Sequence, residues 1–400
     1  MQSTWQSLDD AAALLPPLLR DLYRRFDDVA PFFEYNPFDP ASFQRRAAWL
    51  DARDGSHRAA VAEALVEANR GYGADEAAQR NAAALADPGT LAVVTGQQAG
   101  LFGGPLHTLY KAVTAIRLAG ELSQRLERRV VPVFWMASED HDYDEVRRAY
   151  LLDQAGRVRE LALPPRTGPR ASVGALPVPR RVRGLLREVA QALGPRARHP
   201  EFLDQALEEL DAARDWGDWF ARLMARWLSA HGLIILDPML RPLRLPLREF
   251  YPLALVRREG VHRELAAAAS RLQRRGYPVQ LEVERDHCNL FYLADGERVA
   301  LHWRDAQLVG RGGQVRLGVG EGTALMRREP WRFSPNVVLR PLVQDLLLPT
   351  LAYVAGPAET AYLAQLRDVY PLFGLQMPVV VPRLSVTLVA PEVGARLRDH

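Results

Sequence analysis

Apolar residues recur at helical spacing through Ala11–Phe26 and Ala59–Leu85, so the first 90 residues are expected to be mostly helical. Asn36-Pro37-Phe38-Asp39-Pro40 interrupts that pattern, because proline ends or separates helices. From residue 91 the period changes. Leu91–Thr95 is a short apolar run with β-branched residues that ends in glycines. Pro105 then opens a helix-like stretch to Leu126, with Leu109, Val113, Ile116 and Leu118 on or near one face. Val130–Met136 is a second apolar run. Strand, glycine loop, helix and strand in that order make the βαβ pattern of a parallel sheet.

Further along, Pro164–Arg183 is rich in Pro, Gly and Arg and reads as a loop or small insertion. Ala206–His231 reads as a helix with Trp216, Trp219, Phe220, Leu223 and Trp227 on its apolar side, and Leu233–Leu236 as a buried strand stopped by Asp237-Pro238. Val261–Arg275 reads as a helix. Val279–Glu284, Asn289–Leu293, Arg298–Trp303 and Gln314–Val319 carry β-formers with glycine turns between them, which predicts a small β-rich insertion. Val337–Leu348, Glu359–Tyr370 and Val379–Pro382 return to the α/β pattern.

The chain of 400 residues is 48% hydrophobic and 25% charged, an ordinary globular balance, and is long enough to bury a large core. Its net charge of +3 comes from interleaved acids and bases, so no nucleic-acid partner is expected. The single cysteine, Cys288, excludes an internal disulfide framework and a thiolate metal cluster, and fits a reducing compartment. Beside His287 on a strand it would face the opposite side, which argues against a paired nucleophile. Met1–Tyr23 has no basic leader region, and Asp9 and Asp10 break its apolar stretch, so it is not read as a secretory signal. The longest apolar runs, such as Leu346–Val354, fall short of the about 20 residues that span a bilayer. A cytoplasmic protein without membrane contact is expected. Among 51 Lys and Arg residues only Lys111 is lysine.

Lys111 falls in the first of three candidate segments. Thr95-Gly96-Gln97-Gln98-Ala99-Gly100-Leu101-Phe102-Gly103-Gly104 places Gly96, Gly100, Gly103 and Gly104 before a helix. Such a loop lets a ligand approach the backbone, and a helix start favours an anion. His107 and Lys111, four apart, share one helix face. The spacing matches neither the P-loop nor the dinucleotide fingerprint. A turn that serves only strand–helix packing is the alternative.

The second segment, Ser138-Glu139-Asp140-His141-Asp142-Tyr143-Asp144-Glu145, follows the strand Val130–Met136, and ligands of parallel sheets bind beyond strand carboxyl ends. His141 among carboxylates is expected to keep a raised basicity and to take a proton from an attacking amine, with Asp140 or Asp142 orienting it. An acidic helix start is the alternative, and as a metal site the group is weak, so no metal ligands are assigned. The third segment joins Ser334, Asn336, Arg340 and Gln344 to Gly356, Glu359 and Tyr362. Arg340 can grip a carboxylate or phosphate in bidentate fashion, or can brace the core against Asp345. The remaining histidines, His57, His199, His231, His262 and His302, show no supporting pattern.

At these segments the sequence resembles the bacillithiol-biosynthesis cysteine-adding family. The likeness is carried by Thr95–Ala119, Val131–Val146, Ser334–Leu366 and Met377–Ser385, and order and spacing agree across most of the chain. The resemblance implies an α/β fold with a Rossmann-like parallel sheet core of the nucleotidyltransferase kind, a helical N-terminal region and small β-rich connecting insertions. On that basis the expected organisation is 1–90 helical, 91–163 the first Rossmann-like half, 164–205 a connecting insertion, 206–284 core, 285–332 a β-rich insertion, 333–385 the second core segment, and 386–400 the start of a helical arm. The resemblance also implies a ligase that adds L-cysteine to glucosaminyl-malate in the last step of bacillithiol synthesis. ATP is the expected activator, with Mg2+ as its companion and no tightly bound cofactor. The family's homodimer is joined through a C-terminal coiled coil, of which 386–400 would be only the beginning. Ala358 stands where the family commonly has glycine. An adenylate-forming or nucleotidyltransferase enzyme for another small acid, and a non-catalytic pathway protein that keeps the cleft, are the rival readings.

Overall fold

Five short runs of aliphatic and aromatic residues assemble into one parallel sheet, because each is buried on both faces and so reads as a continuous apolar stretch. In the computed structural model, residues 14–53, 55–194, 201–282, 284–294, 296–389 and 393 are described. The strands are β1 (Leu91–Gln97), β2 (Val130–Met136), β3 (Arg148–Leu152), β4 (Val158–Ala162), β5 (Ile234–Leu236), β6 (His287–Ala294), β7 (Glu297–Arg304), β8 (Gln307–Gly310), β9 (Arg316–Gly318), β10 (Phe333–Pro335), β11 (Thr350–Ala355) and β12 (Val379–Pro382).

The parallel sheet has the order β12-β11-β1-β2-β5. From β1 the chain builds outward through β2 to β5, then returns to the other side of β1 as β11 and β12. The strand order therefore reverses beside β1, and the crevice between β1 and β11 at the carboxyl edge is where such a sheet binds ligands. Alternate residues face opposite helical layers. Leu91, Val93 and Val130 pack with helices α1 (Pro40–Asp51) and α2 (Leu106–Leu126). Phe134, Met136 and Ile235 meet α3 (Trp216–Leu228). Ala92, Val94, Val131, Val133 and Trp135 face a larger core that includes α4 (Phe250–Arg274) and α5 (Arg340–Leu347). The fold is Rossmann-like α/β.

A second, antiparallel sheet has the order β10-β6-β7-β8-β9, and β3 and β4 form a separate hairpin. Several local expectations differ. No strand forms over 279–282, because the amides of Gln280 and Leu281 donate to the Gln365 side chain instead of to a neighbouring strand. The antiparallel sheet continues past residue 332, since Phe333–Pro335 pairs with Leu290–Tyr292. The reading of 206–231 as one helix is also corrected. Glu201–Ala212 and α3 are separate, and Asp215 caps α3 by accepting from the Asp218 amide. Arg181–Leu193 is helical. The expected arm at 386–400 falls largely outside the described residues, as do His199 and the first part of Ala11–Phe26. Among the described residues, no helix is long and apolar enough to cross a membrane.

Candidate active site

Because all five strands of the main sheet run the same way, the segments after β1, β2, β11 and β12 emerge along one edge. The antiparallel sheet closes over that edge, and between them lies a cleft of about 1670 Å³. Gly96, Gln97, Gln98, His107, Lys111, Asp140, His141, Asn336, Arg340, Gly356, Glu359 and Tyr362 all line it. The three candidate segments thus share one cavity.

Lys111 lies at the centre of the switch point. It occupies the buried stripe of α2, in register with Thr108, Ala112, Ala115, Ala119 and Leu122, so its stem is in the core and only its ammonium reaches the edge. Nζ donates to the Gly96 carbonyl at 2.5 Å and to Gln97 Oε1 at 3.0 Å, and lies 2.5 Å from Glu359 Oε2. Burial pushes the lysine pKa down, while Glu359 holds it up. All three ammonium protons have partners, so Lys111 ties β1 to helix α6 (Pro357–Leu363). Glu359 Oε2 also accepts from the Gly356 amide at 2.8 Å, and its Oε1 accepts from the Tyr353 hydroxyl at 2.8 Å.

That hydroxyl continues the network to Arg340. The Arg340 guanidinium donates to Gln344 Oε1 at 3.2 Å and, at longer range, to the hydroxyls of Tyr362 (3.3 Å) and Tyr353 (3.4 Å). It is not the partner of Asp345. The buried Asp345 carboxylate lies 4.0 Å from Arg46 and accepts from Gln344. Arg383, one residue past β12, also lines the cleft, and its buried Nε has no hydrogen-bond partner among the described residues. Half-buried His107 has its pKa lowered by burial first and then by Lys111 and Arg383. This end of the cleft concentrates positive charge from Lys111, Arg340 and Arg383 against the Glu359 carboxylate.

At the other end, the segment after β2 is held in place from within. Glu139 is buried against Arg244, which also donates to the Phe333 carbonyl. Asp140 Oδ2 accepts from Gln98 Nε2 at 2.7 Å and Oδ1 from the His141 amide at 2.7 Å, so Asp140 shapes its own loop. It does not orient the imidazole, whose Nδ1 is 3.8 Å away. The group that meets Nδ1 is Arg298 of β7, at 3.2 Å. The expectation of raised basicity is therefore corrected. Burial lowers the His141 pKa, Arg298 lowers it further, and Asp140 only partly opposes them.

Other predicted residues lie outside the cleft lining. Thr95 is buried and donates to the Val354 carbonyl at 2.9 Å, joining β1 to β11. Gly100, Gly103 and Gly104 serve packing. A Cβ on Gly100 would meet Gly104 at 2.6 Å, and one on Gly103, where φ is +87°, would meet Trp227 at 2.5 Å. Ser334 accepts from Arg298 at 3.0 Å, Gln344 supports Arg340, and Asp142 is exposed.

Sequence reasoning missed Arg298, Arg383, Tyr353, Arg170, His262 and His302, all of which line the cleft. Arg383 was findable as the residue beyond a parallel strand's carboxyl end. Cys288 is in the core, and burial pushes its thiol up to about 12, which removes thiolate chemistry near neutrality. Among the described residues, Glu284, Asp286 and His302 bring ligand atoms within 4.8 Å of one another, a spacing that a cation would accept. Asp286 is already paired there with Arg304 at 3.1 Å.

Comparison with known proteins agrees with this architecture. The family model for the bacillithiol biosynthesis BshC N-terminal Rossmann-like domain matches residues 4–384. A Symbiobacterium thermophilum protein named "Putative cysteine ligase BshC" is 43% identical over 395 residues, covering 93% of this chain and 69% of that protein. Proteins of the same name are 36% identical in Geobacillus kaustophilus, over 92% of this chain and 68% of theirs, and 36% identical in Salinibacter ruber, over 96% and 70%. A sheet that reverses at β1, a cation-lined carboxyl edge and these matches agree, and the chain belongs to the BshC family of bacillithiol biosynthesis.

Proposed function

We propose that the cleft carries out an ATP-dependent ligation that joins the carboxyl group of L-cysteine to the amine of glucosaminyl-malate, the last step of bacillithiol assembly. A carboxylate is a poor electrophile, so it must first become an adenylate or an acyl phosphate. The amine nitrogen then attacks the activated carbonyl, the C–N bond forms, the C–O bond to AMP or phosphate breaks, and the amine gives up a proton.

The observation that carries this reading is the charge at the switch point. Arg383 Nε is a buried donor with no partner among the described residues, beside Arg340, His107 and Lys111. A phosphate or carboxylate would satisfy it. Arg340, with its planar fork, suits the malate carboxylates. Lys111 holds the two sides of the crevice together while adding its charge. Mg2+ would enter with the nucleotide, bound mainly by phosphate oxygens and water. The ligands are small molecules, so this reading invokes no nucleic acid or membrane. It is a cytoplasmic reaction, in keeping with a free-thiol product.

The test is incubation of the purified chain with ATP, L-cysteine and glucosaminyl-malate, followed by mass spectrometry of the thiol product. Product formed together with ATP consumption is expected. No product, with only background ATP turnover, contradicts the reading. Strong pyrophosphate release without cysteine replaces it with adenylation of another acid.

A further inference from the structure

We propose that Arg298 is the positioning residue for His141. It holds the imidazole in the tautomer that carries its proton on Nε2, so that His141 serves the cleft as a hydrogen-bond donor rather than as the base. The inference rests on the reading above that this cleft is the reaction site.

A guanidinium only donates, so its 3.2 Å contact makes His141 Nδ1 the acceptor. In a neutral imidazole the proton must then be on Nε2. Arg298 is fixed in this pose. It is 7% exposed, donates to Ser334 Oγ at 3.0 Å and to the Pro335 carbonyl at 2.8 Å, and lies 3.7 Å over the Phe291 ring. Its amide donates to the Arg170 carbonyl at 2.8 Å, and the Val173 amide donates to the Asp140 carbonyl at 2.6 Å, so β7 and the loop after β2 are bound through one short segment. The charged groups acting on His141 are Arg298 from β7, Arg170 from that segment, and Asp140 and Asp142 from its own loop, while the Phe291 ring of β6 lies 5.7 Å away, tilted by 57°. Burial and the two arginines outweigh the two carboxylates, so the ring is neutral near pH 7.

A neutral imidazole with its lone pair occupied cannot take the amine proton. It can donate from Nε2 to oxygen that gains negative charge when the activated carboxyl group forms or is attacked. The amine proton then leaves to water or to the departing phosphate.

The test is long-range 1H–15N NMR of the full chain labelled at histidine, with His141 assigned by comparison with His141→Gln. The wild type should show the Nε2-protonated tautomer at pH 7.5. Arg298→Met should release a tautomer mixture and raise the His141 titration midpoint. In the ligation assay it should lower kcat by about 10²-fold with little change in KM. Arg298→Lys, which keeps the charge, covers the case in which the methionine variant does not fold, and it should also disturb the tautomer. An Nδ1-protonated ring in the wild type, or an unchanged tautomer in a folded Arg298 variant, overturns the inference. The NMR result stands without any ligase activity, so its failure is distinct from failure of the proposed reaction.

Discussion

Lys111 Nζ lies 2.5 Å from Glu359 Oε2 across the point where the strand order of the main sheet reverses. The lysine comes from the helix after β1 and the glutamate from the helix after β11, so their contact closes the base of the crevice. Lys111→Met leaves Gly96 O and Gln97 Oε1 without their donor. Because Glu359 is 20% exposed, the loss should be about 2 kcal/mol, below the about 3–5 kcal/mol seen when a fully buried pair is broken. Lys111→Arg should recover little of it, since a planar fork cannot replace a compact ammonium with three converging acceptors. Denaturant unfolding measures both variants, and a Lys111→Met change within about 0.5 kcal/mol of wild type contradicts the assignment.

Histidine burial makes a prediction about acid. His107, His141, His262 and His287 all have lowered pKa values, with burial as the first cause in each. Their contribution to stability is present above the ordinary histidine value near 6.5 and is lost as pH falls through the folded values, because only the unfolded chain then binds protons freely. Unfolding midpoints measured from pH 7.5 to 5 should begin to fall below about pH 6.5. A flat or rising profile over that range contradicts it.

Gly103 in the glycine-rich turn and Gly120 in the helix that follows predict opposite outcomes. Gly103→Ala meets Trp227 and an unfavourable positive φ, and should cost about 1–3 kcal/mol. Gly120→Ala, within α2 and with nothing within 4 Å of its Cβ, should stabilise by about 0.5–1 kcal/mol. Thermal melts of the two variants separate a turn glycine built for packing from a helix glycine with spare room.

Arg340→Lys tests how the carboxylate end works. The substitution keeps the charge but loses the fork that reaches Gln344, Tyr353 and Tyr362. In the ligation assay it should raise KM for glucosaminyl-malate about tenfold, equivalent to about 1.4 kcal/mol of binding, with the fold intact by circular dichroism. An unchanged KM removes Arg340 from substrate binding.

The parts legible in the sequence were those with a local cause. β1, α2 and β2 announce themselves because doubly buried strands are continuous apolar runs and a glycine loop must break them before the helix. Lys111 stood out as the one lysine, and its four-residue spacing from His107 placed both on the cleft side of α2. The β3–β4 hairpin was missed because Arg148–Leu152 and Val158–Ala162 are largely exposed, so that Tyr150, Leu152 and Val158 mark no buried face. The basicity of His141 was misjudged for a different reason. Its carboxylate neighbours are visible in sequence, whereas Arg298 is 157 residues away and arrives only when the second sheet folds over the first. Ser334, which supports Arg298 from 36 residues away and does not line the cleft, was hidden in the same way.

The claim that the crevice between β1 and β11 is the reaction site is tested most directly by a crystal structure of the chain with glucosaminyl-malate and a non-hydrolysable ATP analogue. The predicted result places an anionic group of a ligand against Arg340 and Arg383, with the reacting amine in the same cleft. Both ligands bound on surfaces away from the carboxyl edge, with Lys111, His141 and Arg340 untouched, would contradict it.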